Sequence, residues 1–328
     1  MRASSELNER VFTRREFLGF LAASPLLAAP ALASAGESSP VRFRFASSDG
    51  LLIECARWKS AGPARAVVQI AHGMGEHMGR YSGLAESLAA AGFAVYGNDH
   101  RGHGRTAGSP AAYGDFGKGG FELLVEDMVR LSRIAAEENP GRPLLLLGHS
   151  VGSFAAQRYV LDHSGELAGL VLSGSGALDT LARAARAAWG RNILNAPFEP
   201  ARTPLDWLSR DPAVVDAFMA DPLCFGSLKT SAYLSLFAAA QALSDPGRLG
   251  RIRSDLPVYL FSGSQDPVGQ QLVGVRLLIR RYHEAGLRRV EYDFYDGGRH
   301  EMLNETNRDE VRGRLLDWVA RSCPLTQL

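Results

Sequence analysis

The sequence predicts an α/β fold, in which helices cover both faces of a mostly parallel central sheet and an inserted helical cap is added. Short apolar runs alternate with longer segments whose apolar residues recur at helical spacing. This alternation is typical of parallel sheets with strands buried on both faces. A long interval without such a strand, residues 176–249, predicts the cap. With 328 residues and 46% hydrophobic content, the chain is long enough for one domain with an insertion.

The strands are predicted in two groups. Residues 41–46 and 51–58 flank the tetrapeptide Ser-Ser-Asp-Gly and therefore predict an antiparallel hairpin. The later runs are short and apolar, which predicts strands buried on both faces. These runs are 66–71, 93–98, 143–148, 169–173, 257–263 and 290–295.

The helices are predicted from apolar spacing bounded by Gly, Pro, Asp or Asn. In the core they are 81–91, 121–138, 151–163, 268–285 and 309–322. Between the strands ending at 173 and starting at 257 the helical pieces are 178–189, 214–220 and 230–242. We therefore predict a core of residues 41–175 and 250–322 and a cap of residues 176–249. The alternative for the cap is two connecting helices with long loops.

The first 35 residues differ in character from the rest of the chain. Arg14 and Arg15 precede an Ala- and Leu-rich stretch that runs to about Ala33 and is followed by small residues. This pattern resembles a twin-arginine export signal and predicts a periplasmic or extracellular protein. Because the stretch is short and interrupted by proline, we expect no stable membrane span in the mature chain. The alternative is an uncleaved N-terminal anchor or a cytoplasmic helix.

Charge and cysteine content exclude several classes of protein. The formal net charge is +1, without long runs of one sign, so we expect no nucleic-acid partner. Cys55, Cys224 and Cys323 are widely separated and lack CxxC spacing. They therefore predict neither a disulfide framework nor a zinc site. We expect no cofactor and no metal, and the sequence leaves the oligomeric state open.

The strongest chemical motif is Gly148-His149-Ser150-Val151-Gly152, which lies between a predicted strand and a predicted helix. In that context G-x-S-x-G predicts a nucleophile elbow, a sharp turn that exposes the serine hydroxyl at the end of the sheet. Small flanking residues permit the turn. We therefore predict that Ser150 is a nucleophile.

A serine nucleophile needs a histidine base and a carboxylate that orients the base. Asp266 and His300 follow the last two predicted strands in the order typical of hydrolases with this elbow. Active-site groups gather at the carboxyl ends of strands in open α/β sheets, so we predict these two residues as acid and base. The alternatives in the sequence are Asp245, Asp293 and Asp296 for the acid and His283 for the base.

The oxyanion of a tetrahedral intermediate needs hydrogen-bond donors. One should be the amide after the nucleophile, on Val151, and the second should come from the loop after an earlier strand. The loop His72-Gly73-Met74-Gly75 follows strand 66–71, and we predict the Met74 amide as that donor. Residues 99–104 (Asp-His-Arg-Gly-His-Gly) carry two histidines but too few ligands for a metal site, so we interpret them as structural.

Taken together, these motifs resemble the monoacylglycerol lipase and lysophospholipase branch of the α/β-hydrolase superfamily, a serine aminopeptidase-type hydrolase domain. The resemblance covers residues 41–322 and rests on several motifs in the family's order. The motifs are residues 72–77 with 80–81, 99–104, 148–152, 262–267 and 298–301. In addition, the segment 209–223 resembles the family's cap. Two features depart from the family: the export signal, and Thr106, where a serine is usual.

The resemblance implies a cofactor-free serine hydrolase that cleaves a single acyl chain from a glycerol or glycerophospholipid backbone, under a cap that forms an apolar tunnel. The predicted tunnel residues are Phe218, Leu234, Leu236 and Phe237 of the cap, with Met74 and Val151 near the serine; the alternative is that they only join the cap to the core. The fold and triad do not decide the substrate, so a small-ester hydrolase, a lactonase and a peptidase remain alternatives. A non-catalytic binding protein is a further alternative, against which the complete triad argues.

Overall fold

The central sheet has eight strands and positions the residues of the predicted site. The computed structural model describes residues 39–188 and 190–323, in which the strand order is β1-β2-β4-β3-β5-β6-β7-β8. The strands are β1 (Val41–Ala46), β2 (Leu52–Trp58), β3 (Ala66–Ala71), β4 (Phe93–Asn98), β5 (Leu144–His149), β6 (Gly169–Ser173), β7 (Val258–Gly263) and β8 (Val290–Tyr295). β2 pairs antiparallel with β1 and β4, and the other pairs are parallel. The predicted α/β fold with a mostly parallel sheet is confirmed.

Helices cover both faces of this sheet. They are α1 (Ser82–Ala90), α2 (Gly104–Ala107), α3 (Gly120–Glu138), α4 (Val151–His163), α5 (Leu178–Ala187), α6 (Pro212–Ala220), α7 (Thr230–Ala238), α8 (Ala240–Ser244), α9 (Pro246–Leu249), α10 (Val273–Glu284) and α11 (Arg308–Ser322). Among the described residues, no helix combines the length and apolar character needed to cross a bilayer.

The sheet separates two apolar layers. Leu145 and Leu147 of β5 pack in the layer that contains α1 and α11. Leu144 and Leu146 pack in the other layer, with α3, α4 and α10. Successive side chains of a strand point to opposite faces, so a strand with helices on both sides is apolar at every position.

The last strand is an exception to the predicted double-sided burial. β8 lies at the edge of the sheet, paired only with β7 among the described strands. Of its residues only Tyr295 is buried, and Tyr292 is 48% exposed. The prediction of a strand buried on both faces was therefore wrong for 290–295, because an edge strand receives less cover from the flanking helices.

Two predicted helices differ from the observed ones by more than one or two residues. The helix predicted at 268–285 begins only at Val273, because Gln270, Gln271 and Leu272 all have positive φ. Positive φ is uncommon for non-glycine residues and does not fit a right-handed helix. The helix predicted at 230–242 is two helices, α7 and α8, that meet at Ala239.

The interval between β6 and β7 holds α5 to α9 and, among its described residues, no strand. Its apolar residues belong to the same layer as α3 and α4; Trp207, Leu236 and Phe237 are examples. The helical interval therefore packs directly onto one face of the core, while its definition as a separate cap at 176–249 stays a prediction. The predicted signal at residues 1–35, and Trp189 at the end of the predicted 178–189 helix, lie outside the described residues.

A buried arginine joins the N-terminal hairpin to the core. Arg101 is 1% exposed and donates to the carboxylate of Asp127 (3.0 Å) and to the carbonyl of Phe116 (3.0 Å). It also donates to the Ser47 hydroxyl (3.0 Å) and the Asp49 carboxylate (3.1 Å), both in the hairpin turn. Removing one partner of a buried charge network leaves the others unpaired, which is strongly destabilising.

We expect Arg101→Leu to lower the free energy of unfolding by about 3–5 kcal/mol, since it leaves Asp127 buried without its cation. Urea unfolding followed by circular dichroism would measure the change. The matched control is Arg280→Leu, which breaks the exposed pair with Glu284 and should cost no more than about 0.5 kcal/mol. Equal effects of the two substitutions would contradict the assigned role of Arg101.

Candidate active site

Ser150 lies at the sharp turn between β5 and α4. Its backbone has φ 52° and ψ −121°, and its amide donates to the Ser173 carbonyl of β6 (3.0 Å). A side chain at Gly148 or Gly152 would collide with backbone atoms, and for Gly152 the nearest of them is the Ala71 carbonyl oxygen. The predicted strand–turn–helix context of the elbow is therefore present. The turn stores strain, which is common at functional sites.

His300 and Asp266 form a buried hydrogen-bonded pair. Nδ1 of His300 lies 2.9 Å from Oδ1 of Asp266, and both residues are at most 1% exposed. The Val268 amide donates to the same carboxylate oxygen (2.9 Å). Because a carboxylate only accepts, Nδ1 carries the proton and the lone pair of a neutral ring is on Nε2. Nε2 is buried and has no hydrogen-bond partner among the described residues.

The electrostatic surroundings distinguish His300 from its neighbour His149. Burial alone lowers the pKa of His300, but the charge and hydrogen bond of Asp266 outweigh burial, and the pKa lies above the ordinary 6.5. Burial and the nearby His300 lower the pKa of His149 to about 4. Of the two rings, His300 is therefore the one suited to take up a proton near neutral pH.

Three strand ends bring these residues together. The ring of His149, directly before Ser150, lies 4.7 Å from the ring of His300, and Trp207 covers His300 at 4.8 Å. A side chain on Gly174, just after β6, would meet the rings of His149 and His300. Ser150, Asp266 and His300 thus lie in the loops after β5, β7 and β8, at the carboxyl edge predicted for them.

The alternative residues are engaged elsewhere. Asp245 caps α9 by accepting from the Arg248 amide (2.8 Å). Asp293 accepts from the Tyr259 hydroxyl (2.7 Å), and Asp296 is exposed. His283 is exposed in the last turn of α10. The described structure places none of these four beside Ser150 or His300.

The two predicted oxyanion donors have free amides. Among the described residues, the backbone N–H groups of Met74 and Val151 donate to no other group. Gly73, directly before Met74, passes close to the serine: a Cβ there would come within 3.0 Å of Ser150 Cβ and 2.9 Å of Glu76 Oε1. Glycine is therefore needed where the loop passes Ser150.

A cavity of about 490 Å³ opens above Ser150, Met74 and Val151. Its other walls are mostly apolar and come from α4 and from the helical interval; they include Phe154, Leu181, Leu194, Trp207, Leu236 and Phe237. Of the predicted tunnel residues, Leu236, Phe237, Met74 and Val151 line it. Leu234 is 53% exposed, and Phe218 packs under the guanidinium of Arg80 (4.8 Å), so neither is placed as predicted.

The helical register explains this correction. Leu234 and Leu236 lie on one helix, α7, and two positions along a helix are about 200° apart around its axis. Leu236 and Phe237 line the cavity, and Leu234 turns outward. The sequence showed that α7 is apolar without showing which of its sides faces the cavity.

The family model described as serine aminopeptidase, S33, matches residues 62–307, which is more than half of the chain. The chain belongs to this family. The monoacylglycerol lipase of Mycolicibacterium smegmatis is 33% identical over 282 residues, covering 84% of this hydrolase and 95% of the relative. The monoglyceride lipase of Homo sapiens is 31% identical over 229 residues, covering 67% of this hydrolase and 71% of that relative.

Solved structures agree with the family assignment. The carboxyl esterase from Bacillus coagulans in complex with glycerol has a TM-score of 0.77 and 29% identity, over 87% of this hydrolase and 99% of that chain. A soluble variant of monoglyceride lipase from Saccharomyces cerevisiae has a TM-score of 0.71 and 19% identity, over 91% of this hydrolase and 100% of that chain. This similarity shows a common fold. The α/β-hydrolase fold and the resemblance to the monoacylglycerol lipase branch are confirmed.

One group of described side chains in this hydrolase could hold a metal ion: His77, Asp221 and Cys224. The Gly79 amide donates to Nδ1 of His77 (3.2 Å), so Nε2 carries the proton and donates to Asp221 (2.8 Å). Burial raises the pKa of the Cys224 thiol to about 12, which disfavours a thiolate ligand. We therefore interpret the group as a hydrogen-bonded link between the core and the helical interval.

Sequence reasoning assigned no role to a buried charge cluster beside the site. Arg80 donates to Glu76 (2.6 Å) and, through two nitrogens, to Glu301 (2.8 and 2.7 Å). Burial raises the pKa of Glu76, but the charge of Arg80 and the hydrogen bond from the Tyr81 hydroxyl help to outweigh burial, and the pKa of Glu76 lies at about 2. The cluster ties the 72–77 loop to the residue after His300. In the sequence, the only indication of this cluster was that Glu76, Arg80 and Glu301 belong to the motifs at 72–77, 80–81 and 298–301.

A second overlooked carboxylate fixes the loop that carries His300. Glu305 is fully buried and accepts from the backbone amides of Arg210 (3.0 Å), Arg299 (3.0 Å) and Thr306 (2.8 Å). Burial raises the pKa of Glu305, but these hydrogen bonds outweigh burial and lower the pKa below its usual value. Because Arg210 belongs to the helical interval, Glu305 joins that interval to the His300 loop.

We expect Asp266→Asn to lower the pKa of His300 measured by an NMR titration of the imidazole. The Asp266 carboxylate is the group that favours the charged ring, and an amide of the same shape removes that charge. Asp293→Asn is the matched control, because Asp293 bonds to Tyr259 and should leave the pKa of His300 unchanged. An unchanged or higher pKa of His300 in Asp266→Asn would contradict the assignment.

Proposed function

We propose that this hydrolase cleaves the ester bond of monoacyl lipids, a monoacylglycerol or a lysophospholipid, with Ser150, His300 and Asp266 as its triad. The observation that carries the proposal is the apolar cavity of about 490 Å³ that ends at Ser150. Its volume lies in the range of about 300–1,000 Å³ usual for small-molecule sites. The lipase and esterase relatives support the same chemistry.

In the proposed mechanism, each residue of the triad and each oxyanion donor has one role. Ser150 Oγ attacks the ester carbonyl carbon while Nε2 of His300 takes the hydroxyl proton. The carbonyl electrons move to oxygen, which accepts hydrogen bonds from the Met74 and Val151 amides. The intermediate then expels the alcohol, which takes the proton from His300 and leaves an acyl-serine. Water repeats the sequence, releases the fatty acid and restores the serine.

Asp266 acts through His300 rather than on the substrate. Its hydrogen bond keeps the proton on Nδ1, so Nε2 can accept, and its charge stabilises the imidazolium that forms. Because the pKa of His300 lies above 6.5, the neutral base is lost as the pH falls through that raised value. Ester cleavage should therefore weaken on the acidic side.

The family description also names an aminopeptidase, so peptide cleavage is the second candidate. An aminopeptidase substrate carries an ammonium group near the scissile bond. Among the described residues that line the cavity, the charged one is Arg191, which would repel an ammonium group. The lining therefore favours an ester with an uncharged or anionic alcohol part over an N-terminal peptide.

We expect the full chain to hydrolyse 1-monooleoylglycerol and p-nitrophenyl palmitate faster than p-nitrophenyl butyrate, since only long chains fill the apolar cavity. Ser150→Ala should lower turnover by on the order of a million-fold, because triad members act as a unit. Ser87→Ala, an exposed serine on α1, is the matched control and should leave turnover unchanged.

Other outcomes would change the proposal. Hydrolysis of butyrate alone would indicate a small-ester hydrolase or lactonase, and cleavage of a peptide anilide would indicate a peptidase. Full activity of Ser150→Ala would contradict the triad. Failure of a fluorophosphonate to label Ser150 in folded wild-type protein, together with no hydrolysis, would favour a non-catalytic binding protein.

We also propose that the protein is exported to the periplasm or beyond through its twin-arginine-type segment, on the motif around Arg14 and Arg15. The double substitution Arg14→Lys, Arg15→Lys should retain the protein in the cytoplasm of cells with a twin-arginine export pathway. Fractionation and immunoblotting would measure this. Arg10→Lys is the control and should be exported like the wild type; export of the double variant would contradict the proposal.

A further inference from the structure

Both backbone polar groups of Gly73 are held by buried side chains. The Gly73 amide donates to Glu76 Oε1 (2.6 Å), and the Gly73 carbonyl lies 2.8 Å from Nδ1 of His72. A carbonyl oxygen can only accept, so Nδ1 of His72 is the donor. His72 and Glu76 are both nearly fully buried, at 0% and 2% exposure.

The tautomer that this contact needs is set by a second loop. The backbone amide of His100 donates to Nε2 of His72 (2.9 Å). An imidazole nitrogen that accepts cannot also carry a proton, so a neutral His72 has its proton on Nδ1. The ring of His100 also packs against the ring of His72, at 4.2 Å.

That second loop is itself anchored at residue 99. The Asp99 carboxylate accepts from the amides of Met78 (2.8 Å) and Arg105 (2.8 Å). Its carbonyl accepts from the hydroxyl of Thr106 (2.6 Å). The peptide leading into His100 is therefore fixed, and Thr106 performs this anchoring with the hydroxyl that a serine at its position would also have.

The ring of His72 must stay neutral for this arrangement. Burial lowers the pKa of His72, and the charges of Glu76 and Asp99 oppose burial without cancelling it. A protonated ring would have N–H groups on both nitrogens and would face the His100 amide with a donor.

The geometry of a peptide unit links the Gly73 carbonyl to the predicted oxyanion donor. The carbonyl of Gly73 and the N–H of Met74 belong to one planar trans peptide and point in opposite directions. Holding the oxygen therefore fixes the direction of the N–H. Among the described residues the Met74 N–H donates to no protein group, so it is available to a reacting oxygen.

We infer that His72 is a positioning residue for the oxyanion hole: its Nδ1–H holds the Gly73 carbonyl and so aims the Met74 amide. The 99–104 loop sets the tautomer of His72 through the His100 amide. This inference rests on the proposed function, because it requires Met74 to be an oxyanion donor.

The first experiment compares two substitutions in the full chain. His72→Leu has a similar size but no donor, whereas His72→Asn keeps an N–H group near the position of Nδ1. Loss of one oxyanion donor costs about 10²–10³ in kcat, so a misaimed donor should cost on the order of 10–100-fold in His72→Leu. KM should change little, and the affinity for an alkyl trifluoromethyl ketone, which forms a tetrahedral adduct with serine, should fall with kcat. His72→Asn should recover part of both.

Gln69→Leu provides the matched control. Gln69 is equally buried on the preceding strand, and it bonds to the Met128 carbonyl (2.9 Å) and to Ser132 (2.7 Å), away from the oxyanion loop. This substitution should lower the melting temperature like a His72 substitution but leave kcat and the ketone affinity of the folded protein unchanged. If Gln69→Leu and His72→Leu lowered kcat equally, the role of His72 would be stability alone.

The second experiment uses wild-type protein and does not depend on a variant that folds. In ¹⁵N-histidine-labelled protein, the ring nitrogen shifts of His72 should report the neutral Nδ1–H tautomer at neutral pH. An Nε2–H tautomer or a charged ring would overturn the inference. A wild type without esterase activity would instead overturn the proposed function, whereas an active wild type with an unaffected His72→Leu variant would overturn only the role of His72.

Discussion

The backbone turn at Ser150 is the constraint on which the rest of the site depends. With φ 52° and ψ −121°, it lifts the serine out of the end of β5 and starts α4 in the next residue. Such a turn is strained for a side-chain-bearing residue and persists only where packing over-determines it. Here the glycine at 152 lets the end of β3 approach, the glycine at 148 leaves room for the first turn of α4, and Ser173 of β6 accepts from the Ser150 amide. Ser150 is thus held by the sheet rather than by a flexible loop.

Around this turn, the site is assembled from loops that buried charges hold in place. Arg80 joins the 72–77 loop to Glu301, and Glu305 joins the His300 loop to the helical interval. Buried charges are costly unless they are paired and hydrogen-bonded, and both carboxylates have several donors. Such networks add little net stability, but they restrict the loops to one arrangement. That restriction suits a mechanism in which the donors must be in place before charge develops on the substrate.

The cavity shows how the helical interval between β6 and β7 adds to what the common fold provides. The sheet provides Ser150, Asp266 and His300 at its carboxyl edge, as in many hydrolases with different substrates. The helical interval adds the apolar walls, among them Trp207, Leu236 and Phe237. Trp207 also covers the ring of His300 at 4.8 Å, so the segment that forms the apolar walls also shields this histidine from solvent.

The sequence by itself determined the order of strands and helices, the bounds of β1, β3, β4, β6 and β8, and the position of Ser150, Asp266 and His300 at the carboxyl edge of the sheet. These follow from local patterns: apolar periodicity marks the elements, and parallel strands bring their carboxyl ends to one edge. Only the tertiary structure decided that β8 is a half-exposed edge strand, that Leu236 rather than Leu234 faces the cavity, and that Arg80 pairs with Glu301. Each of these depends on contacts between residues far apart in the chain, and a local pattern carries no information about which distant group fills a given space.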